Sequence, residues 1–146
     1  MIHESKGRDA HEADLAYDAD ERIFYNDMSH KRWESPEHLN AHFDRVEAAW
    51  KRWAGNRMCA MCAGYEGFQF DMGRLGALYR ARAQHALEQC FDPMVRWGLA
   101  DDPLMRTTQR SLAMAARRPS HIYGTRDEAL AVIRGLRKGT IKLGTD

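Results

Sequence analysis

Long apolar runs are missing from this 146-residue chain. No stretch approaches the roughly 20 residues that a membrane helix needs, and the first residues lack the apolar centre of a signal peptide. The expected address is the cytoplasm, with no membrane partner. Cysteine is scarce: Cys59, Cys62 and Cys90 are an odd count without a secretion signal, which argues against a disulfide framework. Serine is scarce too, at Ser5, Ser29, Ser35, Ser111 and Ser120. There is no G-x-S-x-G, no P-loop, and no Ser-His-Asp arrangement that spacing can define. An ordinary hydrolase is not expected, no catalytic residue is assigned, and no cofactor is implied. A net charge of +1 is far from the strongly basic balance of a nucleic-acid-binding domain.

What is present is ordinary for a globular protein: 44% apolar and 29% charged residues. The length suits one domain, which at this size buries about 70% of its unfolded surface and needs no disulfide or metal. Charge is unevenly spread. Residues 1–21 hold seven acidic and two basic side chains, a net of −5, whereas residues 72–118 hold eight arginines against four acids, a net of +4. The first 14 residues show no apolar periodicity and read as an acidic, loosely ordered lead. Residues 15–138 form the domain, and 139–146 a tail.

The pattern along the domain alternates strands with helices. "LAYDADERIFYND" places two apolar runs around Asp18-Ala19-Asp20, a hairpin signal. In "SPEHLNAHFDRVEAAWKRW", Ser35 is placed to cap a helix, Pro36 suits its first position, and Leu39, Phe43, Val46, Trp50 and Trp53 make one stripe ending at Gly55. "RMCAMCAGYEGF", completed by "FQFD", reads as a buried central strand and its exit. Asp71 then caps a second helix, Asp92-Pro93 interrupts the chain, and "MVRWGL" is a short strand. A third helix runs from about Pro103 to Arg117. "HIY" is a further short strand, and Thr125 with Glu128 makes a capping box for the last helix. The order β-β-α-β-α-β-α-β-α predicts an α/β fold: a mixed sheet of four to five strands with about four helices mostly on one face.

"LAYDADERIFYND", "GYEGFQFD", Tyr79, "VRWGL", Arg106 and "HIYGTRDEAL" together carry a resemblance over roughly residues 15–137. The chain resembles the STAS superfamily, the small α/β domains typified by bacterial anti-sigma-factor antagonists. It is closer still to the STAS-like extension at the C-terminus of some bacterial acyl-CoA:acetate/3-ketoacid CoA-transferases. In switch-type STAS domains a D-x-S-G-x-x-x-L pattern sets a phosphorylatable serine at the start of the second helix. Here Asp71, Met72, Gly73, Arg74 and Leu78 occupy that pattern, so the serine is replaced by Gly73 and phosphorylation at this position is excluded. The catalytic body of the transferases, with its glutamate nucleophile, has no counterpart in these residues. The resemblance implies a domain that sits beside an enzyme or acts alone.

Four groups are candidate sites. Phe68, Phe70 and Tyr79, with Arg74 or Arg96 and Trp97 nearby, cluster where the central strand turns into the second helix. Either they are core, or they hold an apolar acid or an acyl-CoA-like ligand with an arginine at its anionic end. Arg106, Arg110 and Arg117 step by 4 and 7 along one helix face, suited to an acidic partner or to solvent. His38 and His42 share the spacing of two metal ligands without an H-E-x-x-H motif. Cys59 and Cys62 form a C-x-x-C, but in a strand residues three apart lie about 10 Å from one another on opposite faces, which makes them core. The leading expectation is a non-enzymatic accessory or regulatory module that contacts another protein or itself, a homodimer included. The alternatives are a binder of a small apolar acid and, third, a metal or redox protein.

Overall fold

The computed structural model describes residues 9–12 and 14–139. Three strands open the fold, β1 (Asp9–Glu12), β2 (Leu15–Asp18) and β3 (Ile23–Asp27), joined as an antiparallel meander. Asp18 shapes the hairpin between β2 and β3, its Oδ1 accepting from the amides of Asp20 and Glu21 at 2.9 and 3.0 Å. Asp9–Glu12, expected within the lead, is instead the edge of the sheet. Backbone pairing needs no apolar periodicity, and a charged edge strand resists pairing with other chains. Residues 1–8 of the lead and 140–146 of the tail lie outside the described residues.

A short strand β4 (Arg32–Trp33) precedes helix α1 (Pro36–Ala54). Ser35 accepts from the His38 amide, Pro36 opens the helix, and Gly55 closes it in the left-handed region. The central strand β5 (Cys59–Gly64) is buried along its whole length. It stops at Gly64 rather than continuing through Phe70. A turn follows, and Gln69–Phe70 forms β6, which leaves the main sheet to pair with β4 as a separate two-stranded ribbon. Next come α2 (Met72–Gln89), β7 (Phe91–Trp97), α3 (Pro103–Ala115), β8 (Ile122–Tyr123) and α4 (Arg126–Lys138). The Thr125–Glu128 capping box is formed.

The fold is α/β, with a mixed six-stranded sheet in the order β1-β2-β3-β5-β7-β8. From β3 to β8 the strands run parallel. The sheet is wider than four or five strands because β1 adds an edge, and β7 is longer than expected because Asp92-Pro93 does not interrupt it. Those two residues stand opposite the single Ala60 of β5, where the register shifts. Such a bulge is where a sheet tolerates proline, because no ladder hydrogen bond is asked of its nitrogen.

Helices α1, α2 and α3 cover one face, closing Phe24, Met61 and Phe91 of the sheet beneath Leu39, Phe43, Val46, Tyr79 and Leu112. Helix α4 alone covers the other, over Ile23, Ala60, Cys62 and Val95. Gly64 is required on that second face. A Cβ there would meet the Trp97 ring at 2.3 Å and Asp27 Oδ1 at 2.9 Å, so the indole lies directly on the glycine backbone. Among the described residues, no helix is long and apolar enough to cross a membrane.

Candidate functional site

The start of α2 is built as its sequence directs. Asp71 Oδ1 accepts from the amides of Gly73 and Arg74 at 3.0 and 3.2 Å. Gly73 is exposed in the first turn, and a Cβ added there would meet only Asp71 Oδ1, at 3.3 Å. Neither a positive φ nor crowding demands glycine at this place. The backbone would accept a serine, so what this chain lacks is the hydroxyl and not the room for it.

The aromatic cluster beneath this turn is filled. Trp33 meets Phe68 edge-on at 4.7 Å, Phe70 lies 5.1 Å from Tyr79, and Phe43 lies 6.0 Å from Tyr79. Phe68 and Tyr79 are buried and close the core, whereas Phe70 is half-buried and keeps an edge at the surface.

Arg96 is 1% exposed. Its Nε donates to Gln109 Oε1 at 2.9 Å, and one Nη donates to the carbonyls of Met94, at 3.0 Å, and Ser120. Gln109 Nε2 in turn donates to the Tyr79 hydroxyl at 2.5 Å, and Tyr79 bonds Tyr65. No carboxylate of the described residues pairs with this guanidinium. Burial lowers its affinity for a proton, while the hydroxyls of Tyr65 and Tyr79 act in the opposite sense. The same burial raises the pKa of both tyrosines. Arg96 therefore joins β7 to α2, α3 and the chain leading to β8, and its guanidinium cannot reach a ligand. Sequence reading missed Gln109, since a polar residue on the inner side of a helix reveals its partner only in three dimensions.

Arg74 is placed differently. It is exposed and lines an open cleft of about 450 Å³ with Arg32, Trp33, Gln69 and Phe70, between the β4–β6 ribbon and the start of α2. Trp97 lies on the opposite face of the sheet, in contact with the α4 side. The residues first grouped around one pocket thus divide among the core, a surface cleft and the far face.

On α3 the arginine row also divides. Arg106 Nη1 donates to the carbonyls of Leu99 and Ala100 at 2.9 and 2.6 Å, which ties down the loop before the helix. Arg110 and Arg117 are exposed. Between them is Met114, 75% exposed, and Leu104, 57% exposed, stands at the start of the helix. At 100° per residue, Leu104, Thr107, Ser111, Met114 and Ala115 form one outward strip with Arg110 along its margin. Arg117, expected on the same helix face, instead lies past the end of α3 with its backbone in the left-handed region. Among the described residues only Met58 joins Leu104 and Met114 as an exposed large apolar side chain. The signal was legible: Leu104 and Met114 fall opposite the Met105–Leu112 stripe.

His38 and His42 do not converge on one point. His38 Nδ1 accepts from the Glu34 amide at 3.1 Å, as part of the start of α1. His42 is buried, with Nε2 3.0 Å from Asn26 Oδ1 and Nδ1 3.2 Å from Arg45 Nη2. A guanidinium only donates, so Nδ1 carries the lone pair and Nε2–H donates to Asn26. The approach of Nδ1 to Asp14, at 3.5 Å, is therefore not an ion pair. Asp14 instead pairs with Arg45 at 2.9 Å and Lys31 at 3.2 Å. Burial pushes the His42 pKa down to about 4, the Asp14 charge opposing it only in part. No group of three or more His, Cys, Asp or Glu among the described residues is placed to hold a metal ion.

Cys59 faces the α1–α2 side and Cys62 the α4 side, as strand alternation requires. Burial pushes their thiols up to about 12 and about 11, and that of Cys90 to about 11. All three are protonated at neutral pH and out of reach of solvent. Ellman's reagent at pH 8 is expected to titrate no thiol in the native protein and three after unfolding in guanidinium. A native thiol that reacts within minutes would contradict this placement.

No family model, curated protein or solved structure matches the chain.

Proposed function

We propose that this protein is a STAS-like, non-enzymatic accessory or regulatory module that acts through protein–protein contact, with the outer face of α3 as its contact surface. The observation that carries the reading is the pairing of exposed Leu104 and Met114 with exposed Arg110 on the same helix and exposed Arg117 just past its end. Apolar side chains held in water at the middle of a face, with charge at its margin, are the anatomy of an interface before its partner arrives. The arginines select an acidic partner. The order of elements, the capped start of α2 and the missing serine at Gly73 fit a module of this family that does not switch by phosphorylation there.

Site-specific photo-crosslinking tests the assignment. A photoreactive amino acid at position 104 or 114, in the producing organism, is expected to yield one discrete adduct with another protein. The same probe at exposed Ala131 on α4 is expected to yield none, and R110E/R117E should abolish the adducts. Adducts from all three positions, or from none, would overturn α3 as the contact face. An adduct with a second copy of this chain would make the module a self-associating one.

A second reading has one specific observation behind it. The cleft that holds Arg74 has two aromatic side chains, Trp33 and Phe70, and a further arginine, Arg32. Glu34 and Asp71 also line it, and Glu34 pairs with Arg32 at 3.4 Å, so Arg74 is the guanidinium left for a small apolar acid, and Arg74→Ala would abolish its binding.

A further inference from the structure

The second face of the sheet carries a cleft that involves neither α3 nor Arg74. Helix α4 lies over β5, β7 and β8, and among the described residues no helix lies over β1, β2 and the end of β3 on this face. One row of residues crosses the sheet there: His11 is the register partner of Ala16, Ala16 of Tyr25, and Tyr25 of Cys62. Partners across strands project to the same face. Ala16 offers only a methyl group, so it makes a low floor between the larger His11 and Tyr25. The resulting cleft has a volume of about 280 Å³ and is lined by His11, Ala16, Tyr25, Asp27, Trp97 and Arg126. Asp27 and Trp97 are the last residues of β3 and β7, so the cleft opens at the carboxyl ends of the parallel strands. Ligands of open α/β sheets bind at that end.

Of the charged groups in the lining, Asp14 is already paired with Arg45 and Lys31, whereas Arg126 and Asp27 are held in place but not paired. The Arg126 guanidinium stands over the Tyr25 ring, 4.9 Å from its centroid, which fixes its position and leaves its N–H edges free. It forms no ion pair with a carboxylate of the described residues. Asp27 Oδ1 accepts from the Ser29 amide at 3.0 Å, and its second oxygen has no partner among them. The two groups line one cavity without pairing to each other. The Tyr25 and Trp97 rings supply apolar walls between them.

The geometry points to a binding site for a small zwitterion of the α-amino-acid class, its carboxylate on Arg126, its ammonium group at Asp27 and its side chain against Tyr25 and Trp97. A guanidinium edge and a carboxylate oxygen are the groups that recognise that pair of charges. The volume, just below the usual range for drug-sized ligands, suits a small molecule.

The test is an amide NMR titration of the full chain with a panel of neutral L-α-amino acids at millimolar concentration. At least one is expected to give saturable shifts confined to Tyr25–Asp27, Cys62–Gly64, Trp97 and Arg126. Asp27→Asn and Arg126→Gln, both at exposed positions, should each weaken it about tenfold, and so should N-acetylation or amidation of the amino acid. Arg74→Gln should change nothing, which separates this site from the cleft beside α2. Three results would overturn the proposal: no saturable shifts with any amino acid, affinity unchanged in both variants, or equal binding of acetate. The last would mean an anion contact at Arg126 alone.

Discussion

Replacing Arg96 by alanine is expected to destabilise the protein by about 4 kcal/mol. The guanidinium is buried, and three acceptors depend on it: the buried Gln109 Oε1 and Ser120 carbonyl, and the half-buried Met94 carbonyl. Each acceptor left without a donor costs about 1–3 kcal/mol, and the emptied volume adds to the loss. Loss of a buried charged partner typically costs about 3–5 kcal/mol in all. Against a total stability of about 5–15 kcal/mol the variant would be barely folded at 37 °C. The urea midpoint should fall by about 2 M, taking a slope of about 2 kcal/mol per molar. Arg96→Lys should fall in between, because an ammonium group can reach one of the carbonyls but cannot reproduce the planar fork. Exposed Arg74→Ala is the control and should move the midpoint little. A ligand arginine would behave in the opposite way: binding would go and stability would stay. If Arg96→Ala unfolded at the wild-type midpoint, the buried network described here would be wrong.

Acidification should destabilise the protein in two separate steps, the larger through His42. In the folded state its pKa is depressed from 6.5 to about 4 by burial. The unfolded chain therefore takes up a proton at higher pH than the folded one, and stability falls as pH drops from about 6.5 to about 4. A depression of that size corresponds to roughly 3–4 kcal/mol. Below pH 4 both states are protonated and this loss is complete.

Asp14 acts in a lower window. Burial opposes its ionisation, but Arg45, His42 and Lys31 outweigh it, and its pKa lies below 3.8. Its contribution is present above the ordinary carboxylate value and is lost as pH falls through the folded one. Urea midpoints at pH 7.0, 5.5 and 4.5 read the His42 step alone, above the Asp14 window. The wild type should lose most of its His42 contribution over that series, whereas His42→Gln should start lower and lose much less. Equal slopes in both proteins would remove His42 as the cause.

Much of the local architecture was legible in the sequence because it depends on neighbours a few residues apart. Ser35 and Pro36, Asp71, and the Thr125–Glu128 pair start their helices through contacts within one turn. The α1 stripe and the alternation of strand with helix led directly to the α/β class. The opposite placement of Cys59 and Cys62 follows from strand geometry alone.

Tertiary structure decided the rest, because it depends on residues far apart in the chain. Asp9–Glu12 is a strand only because the edge of β2 is there to pair with it, and β6 leaves the main sheet only because β4 offers it a partner. Arg74 and Arg96 carry the same charge near the same cluster, yet one lies in solvent and the other is locked to Gln109. Sequence sees the guanidinium in both; only the fold determines whether water or a buried amide receives it.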